Sequence, residues 1–146
     1  MRQNIEQILL PYDGTKSSER AFKYAMRLAK IHQAKLIILT CIRDQATFGF
    51  FKLKSEKKKI ERQKENAEKI IKKLKHRAKS FGIPLKSKIV KCEIISKEIV
   101  DYAKKQDVDI IAMSKTKHGT TAEKMYSEST VDRVFKSSPC TFVHVK

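Results

Sequence analysis

Short apolar runs alternate along this chain with amphipathic helical segments, and this repetition constrains the fold more than any other feature. Leu36-Ile37-Ile38-Leu39 is apolar without alternation, and residues 108–113 are apolar apart from Asp109. Unbroken runs of this kind are typical of strands covered on both faces. Between them, segments such as residues 17–31 place apolar side chains three and four positions apart. Strand then helix, repeated, predicts parallel strands joined by right-handed crossovers.

We predict a single α/β domain over residues 1–146, because 40% hydrophobic content in a chain of this length is enough for one sizeable core. The predicted strands lie at residues 8–10, 35–42, 85–92, 108–113 and 141–145. The predicted helices lie at residues 17–31, 55–81, 94–105 and 129–138, and the apolar stripe of the second helix includes Phe81. Residues 85–92 alternate apolar and lysine side chains, which predicts an edge strand.

The first strand runs into Pro11-Tyr12-Asp13-Gly14-Thr15 and then into a helix. Open α/β sheets bind ligands at the carboxyl ends of their strands, so residues 12–15 are the first candidate site. The alternative is an Asx turn, in which the Asp13 carboxylate accepts a backbone amide and Gly14 supplies a positive φ. The local sequence favours this alternative, which needs no ligand.

Several classes of protein are disfavoured by the sequence. No amino-terminal segment resembles a signal peptide, and no apolar run approaches the roughly 20 residues of a membrane helix, so we expect a cytoplasmic protein without a membrane contact. Three widely spaced cysteines predict reduced thiols in strands: Cys41, Cys92 and Cys140. The histidines show no metal-ligand spacing, and no nucleophile elbow is present, so we expect neither a metal site nor catalytic residues.

The formal net charge of +17 is unevenly placed. Residues 52–79 hold 13 Lys or Arg and four Glu, for a net +9. Such a field predicts weak, sequence-independent binding of nucleic acid or another polyanion. The expected contacts are Lys57, Lys58, Lys59, Arg62 and Lys64. The alternative is a solvated helix face, which the lack of interleaved aromatic residues favours.

Both ends of the chain resemble the universal stress protein family. The opening resemblance lies in residues 8–15 with Ala21 and residues 25–29, and the closing one in residues 108–114 and in Ser129 through Ser138-Pro139-Cys140. The resemblance implies a Rossmann-like sheet of the adenine nucleotide alpha hydrolase type. It has five parallel strands in the order 3-2-1-4-5 and helices on both faces. Ligands then belong where the order reverses, between strands 1 and 4.

The resemblance also implies an adenine-nucleotide site for ATP, AMP or adenosine. In family members that bind nucleotide, the adenosine lies by the residues matching Pro11, Tyr12, Asp13 and Cys41. The phosphates lie on a loop written Gly, two residues, Gly, nine residues, Gly-Ser or Gly-Thr. On this chain the phosphate-end positions carried over from that loop are Met113, Ser114, Lys117, Gly119, Ser129 and Thr130.

The glycines of that loop are absent here. If the loop is aligned forward from Met113, Ser114 and Lys117 occupy its first two glycine positions. If it is aligned backward from Ser129, Lys115 and His118 occupy those two positions, and Glu128 occupies the last glycine position. Gly119 falls outside both registers. A carboxylate about 4 Å from a phosphate charge costs on the order of 4 kcal/mol at an effective dielectric near 20. We therefore expect weak or absent ATP binding and a preference for AMP or adenosine. Ser129 has an alternative role as an N-cap with Asp132 three residues on.

The family resemblance further implies a stress-response or signalling protein that is not an enzyme and forms a homodimer through residues 141–145. Phe142, Val143 and Val145 would otherwise form an unpaired apolar edge. Two alternatives stay open. One is a polyanion-binding module built on residues 52–79, and the other is a slow nucleotide hydrolase in which Asp13 is the one visible general base.

Overall fold

The computed structural model describes residues 4–44, 54–115 and 128–146. The strands are β1 (Gln7–Pro11), β2 (Lys35–Arg43), β3 (Leu85–Cys92), β4 (Ile110–Met113) and β5 (Thr141–His144). The helices are α1 (Lys16–His32), α2 (Lys54–Ser80), α3 (Ile95–Gln106) and α4 (Glu128–Ser137). No helix in these ranges has the length and apolar character needed to cross a bilayer.

The five strands form one parallel sheet in the order β3-β2-β1-β4-β5. This confirms the predicted Rossmann-like fold and its strand order. It also confirms β3 as an edge strand, as the alternation of its lysines predicted. The order reverses between β1 and β4, which places the carboxyl ends of these two strands at the point where such sheets bind ligands.

The apolar core lies in two layers, one on each face of the sheet. Ile8, Leu10 and Ile38 pack on the face covered by α1 and α2. Leu9 and Ile37 pack on the face covered by α3 and α4. All five side chains are fully buried. The unbroken apolar runs are therefore explained, because in a doubly covered strand both sets of alternating side chains need an apolar neighbour.

Helix α1 begins and ends with side-chain and backbone caps. Thr15 is the N-cap, since its hydroxyl accepts a hydrogen bond from the Ser18 amide at 3.2 Å. At the other end Gln33 adopts a left-handed conformation, φ 54°, and its amide bonds to the Ala29 carbonyl. The chain can then enter β2 directly.

The predicted position of Phe81 on the apolar stripe of the second helix is wrong. Helix α2 ends at Ser80, and the Phe81 side chain is 56% exposed. The reason is Gly82, whose φ of 69° turns the chain and gives the buried position to Ile83 instead. Helical periodicity therefore continues in the sequence beyond the point where the helix stops.

Two strands are shorter than predicted. Strand β4 begins at Ile110 rather than at Val108, because the Val108 amide bonds to the Ala103 carbonyl and closes α3. Asp109 belongs to the same turn, and its Oδ2 accepts the amides of Glu6 and Gln7 at 2.8 and 2.9 Å. Strand β5 ends at His144, one residue before the predicted end.

Candidate functional site

The Asp13 loop lies at the carboxyl end of β1 and is closed by its own side chains. Oδ1 of Asp13 accepts hydrogen bonds from the Thr15 amide at 3.0 Å, from the Thr15 hydroxyl at 2.6 Å and from the Ser18 hydroxyl. The Asp13 amide donates to the Ser18 hydroxyl oxygen at 3.1 Å. Gly14 has a φ of 84°. The Asx turn predicted as the ligand-free alternative is thus present.

The second carboxylate oxygen of Asp13 is used differently. Oδ2 is buried and accepts no hydrogen bond from any residue that the structure describes. A buried acceptor without a donor costs about 1 to 3 kcal/mol, and more when it is charged. The Asx turn satisfies Oδ1 alone. Oδ2 therefore remains a hydrogen-bond acceptor for which the described residues supply no donor.

A second group of polar contacts joins α1 to the end of β4. The Ser17 hydroxyl donates to the Lys115 carbonyl at 2.9 Å, and Nη2 of Arg20 approaches the hydroxyls of Ser17 and Ser114 at 3.3 and 3.4 Å. Nζ of Lys115 forms an ion pair with Asp132 of α4 at 3.0 Å. These bonds hold the carboxyl end of β4 between the first turns of α1 and α4.

The side chain of Tyr12, unlike those of Cys41 and Met113, packs on the α1–α2 face of the sheet. Its ring packs in the α1–α2 layer, edge-on to Phe22 at 6.3 Å, and its hydroxyl donates to Glu19 at 3.1 Å. Burial raises the pKa of Tyr12 well above its ordinary value, and the negative charge of Glu19 adds to the effect. The side chain is therefore a neutral donor engaged on the far side of the sheet from α3 and α4.

Cys41 and Met113 are buried together with Leu9 on the α3–α4 face. The Cys41 thiol forms a hydrogen bond with the thiol of Cys92 on the neighbouring strand, and this bond lowers the pKa of Cys92, while burial opposes the effect. All three cysteines are reduced thiols: Cys41 lies in β2, Cys92 ends β3 and Cys140 immediately precedes β5. Pro11, which ends β1, is also buried.

The structure places the phosphate-end residues only in part. Ser114 is buried at the end of β4, and Thr130 is buried in the first turn of α4 beside the exposed Ser129. Lys117 and Gly119 lie outside the described residues. The N-cap alternative for Ser129 is wrong, because α4 begins at Glu128 and Ser129 is already helical. Asp132, its proposed capping partner, pairs with Lys115 instead.

Sequence reasoning missed two residues of this site, Ser18 and Arg20, and missed the ion-pair partner of a third, Lys115. Ser18 completes the Asp13 network, and its spacing of three from Thr15 is a capping signal that could have identified it. The contacts of Arg20 with Ser114 and of Lys115 with Asp132 had no local signal, since they join residues 94 and 17 positions apart in the chain. The fold alone brings these groups together.

Comparison with known proteins gives one consistent result. The model of the universal stress protein family matches residues 4–146. A universal stress protein of Methanocaldococcus jannaschii is 28% identical over 141 residues, which cover 97% of this chain and 82% of that protein.

Solved structures show the same fold. The universal stress protein UspA from Lactobacillus plantarum superposes with a TM-score of 0.83 at 22% identity, covering 99% of this chain and 100% of that one. The universal stress protein from Archaeoglobus fulgidus, solved in complex with dAMP, gives a TM-score of 0.67 at 12% identity, with coverage of 99% and 100%.

Proposed function

Because the chain belongs to the universal stress protein family, we propose that it is a non-enzymatic stress-response or signalling protein that binds adenosine or AMP in preference to ATP. The observation that carries the proposal is the unused Oδ2 of Asp13 at the strand-order reversal. Adenosine offers donors for such an acceptor in its amino group and its ribose hydroxyls. The dAMP complex of the A. fulgidus protein supports a nucleoside monophosphate as the class of ligand.

The adenosine end of the proposed site keeps the residue types that such a ligand requires. Asp13 supplies the acceptor, and the buried side chains of Pro11, Cys41 and Met113 lie in the carboxyl-terminal parts of β1, β2 and β4. Ligand pockets are generally apolar with a few placed polar groups, and this set fits that description. We assign the Tyr12 ring no contact with the ligand, because it packs in the α1–α2 layer.

The phosphate end of the proposed site is less suited to a triphosphate. The loop lacks the family glycines that let backbone amides approach phosphate closely, and Glu128 stands at the start of α4. Lys115 is already paired with Asp132, and Arg20 bonds to two serine hydroxyls. A single phosphate needs only the first turn of α4 and one of these cations. Three phosphates need an extended cradle.

The proposal is tested by the nucleotide that the protein carries. Mass spectrometry of the small molecules released on denaturation, after dialysis of the purified protein against equal concentrations of adenosine, AMP and ATP, should recover adenosine or AMP. Recovery of ATP as the main species, or of no nucleotide at all, would contradict the proposal.

Slow nucleotide hydrolysis is the less favoured alternative. It requires a general base beside the terminal phosphates, and Asp13 is assigned here to the adenosine end. Its Oδ1 is also committed to three donors. Asp132, the carboxylate in α4, is paired with Lys115. These contacts support a binding role over a catalytic one.

A homodimer through β5 is part of the same proposal. This strand is the free edge of the sheet next to β4, and Phe142 and Val143 are only half-buried there. Phe135 of α4 packs edge-on against Phe142 with ring centroids 5.5 Å apart, yet remains 61% exposed. An exposed aromatic pair beside an open edge supports pairing with a second copy.

Sedimentation velocity tests the dimer. We expect the wild type to sediment as a dimer at micromolar concentration and Phe135→Glu to sediment as a monomer, because a charge at the interface is left unpaired on association. Phe81→Glu is the matched control, since Phe81 is similarly exposed, at 56%, and lies beyond α2. A monomeric wild type, or equal behaviour of the two variants, would remove the β5 interface.

A further inference from the structure

The basic side chains of this protein are concentrated on one face of the sheet. Helices α1 and α2, which cover the same face, carry net charges of +4 and +8. Helices α3 and α4, which cover the other face, carry +1 and 0. Of the formal charge of +17, the α1–α2 layer therefore holds +12 and the opposite layer +1.

Helix α1 contributes a regular basic ridge. With 100° between successive residues, its five cations fall within a sector of about 80° on the side opposite the buried alanines. All five are exposed: Lys16, Arg20, Lys23, Arg27 and Lys30. The ridge contains no acidic residue and is about 21 Å long at 1.5 Å per residue.

Helix α2 carries a second ridge beside the first. Its buried stripe includes Ala67, Ile71, Leu74 and Ala78. The positions opposite that stripe include Lys58, Arg62, Lys69 and Lys73, with the acidic Glu65 among them. The two helices are joined by the ion pair of Arg77 with Glu19 at 2.7 Å and by the stacking of Arg77 on Phe22. Packed helices lie about 8 to 10 Å apart, so the ridges form one continuous surface.

The helices do not need the ridges in order to pack on the sheet, although Arg20 bonds to Ser17 and Ser114 and Lys30 donates to the Phe81 carbonyl. Both helices are held by their apolar faces, and like charges three or four residues apart on a helix destabilise it. Lys23, Arg27, Lys69 and Lys73 form no ion pair within the described ranges. A general lysine bias in composition would also charge both layers of helices equally, which is not observed.

We propose that the α1–α2 face is a docking surface for the phosphate backbone of a nucleic-acid duplex, bound without regard to base sequence. Two rows of cations, the second interrupted only by Glu65, fit a linear array of phosphates. The ridge positions carry no aromatic side chains, which disfavours single strands, because these are held by base stacking. An anionic membrane is less favoured, since the apolar faces of both helices are buried against the sheet and leave little to insert into lipid.

The proposal is tested with two variants of equal charge. The face variant carries Lys23→Gln, Arg27→Gln, Lys69→Gln and Lys73→Gln, and the control carries Lys104→Gln, Lys105→Gln, Arg133→Gln and Lys136→Gln on the opposite layer. All eight positions are exposed, and glutamine preserves helix propensity. Circular dichroism of both variants verifies that they are folded.

Fluorescence anisotropy with a mixed-sequence DNA duplex of about 20 base pairs, which is two helical turns long, gives the affinity. We expect the face variant to bind at least tenfold more weakly than the wild type and the control to stay within threefold. Between about 50 and 200 mM NaCl, the slope of log affinity against log salt should shrink by about 3 to 4 in the face variant alone.

Equal losses in the two variants would show that total charge, and not this face, attracts the duplex. Absence of duplex binding by the wild type would also overturn the proposal. So would preferential binding to vesicles made of equal parts phosphatidylcholine and phosphatidylserine, because the membrane would then be the partner. None of the eight substituted residues belongs to the proposed nucleotide site, so this test and that of nucleotide binding can fail independently.

Discussion

Replacing Ile38 with alanine is expected to lower the free energy of unfolding by about 2 to 5 kcal/mol. Ile38 is 0% exposed and lies in the middle of β2, between Leu10 of β1 and Ser87 of β3. Its side chain contributes to the core beneath α1 and α2. The loss combines the missing apolar burial with the cavity that the packed neighbours cannot fill.

Urea unfolding of the wild type and two variants measures this effect. Ile31→Ala is the matched control, because Ile31 is 74% exposed at the end of α1, and its removal should change stability by less than about 0.5 kcal/mol. A loss below about 1 kcal/mol for Ile38→Ala would mean that β2 is not in the packed centre of the sheet.

Replacing Asp13 with asparagine should weaken AMP binding by roughly 10- to 150-fold, which corresponds to about 1.5 to 3 kcal/mol for a hydrogen bond to a charged group. The substitution is nearly isosteric. The amide oxygen can take the place of Oδ1 and keep the donors from Thr15 and Ser18. The amide nitrogen then takes the place of Oδ2, so a buried acceptor becomes a donor and repels the donor of the ligand.

The control for Asp13→Asn is Ser18→Ala. It removes one donor to Oδ1 but leaves Oδ2 unchanged. We expect it to lower stability by about 1 kcal/mol and to leave AMP affinity within threefold of the wild type. Calorimetric titration with AMP separates the two effects. If Asp13→Asn bound AMP as tightly as the wild type, Oδ2 would have no part in the site.

The sheet could be predicted from the sequence because a strand that is buried on both faces contains almost no polar residues. The segment Leu36-Ile37-Ile38-Leu39 contains no polar residue, and its strand is central in the sheet. The exposed lysines of β3 indicate an edge strand, and β3 lies at the edge. The error at Phe81 has an equally direct cause. Periodicity carries no information about the left-handed turn at Gly82, two residues after the end of α2, which leaves Phe81 exposed and buries Ile83 instead.

The site was less predictable because its contacts are not local. The Asx turn at Asp13 follows from the order Asp-Gly-Thr, but the unused Oδ2 is apparent only once Thr15 and Ser18 are placed around Oδ1. The bond from Ser17 to the Lys115 carbonyl joins segments 98 residues apart. Likewise, the charge of residues 52–79 is evident in the sequence, whereas the neighbouring ridge of α1 becomes part of the same surface only through the crossover geometry.

We propose that this protein keeps the part of the site that binds adenosine and has lost the part that binds a triphosphate. Isothermal titration calorimetry of the wild-type protein with AMP and with ATP, under identical conditions, tests it most directly. We predict measurable AMP binding and an affinity for ATP at least tenfold lower. Micromolar ATP binding that is tighter than that of AMP would contradict the account. It would show that the segment after β4, which contains Lys115 and Lys117, holds phosphates without the glycines of the family.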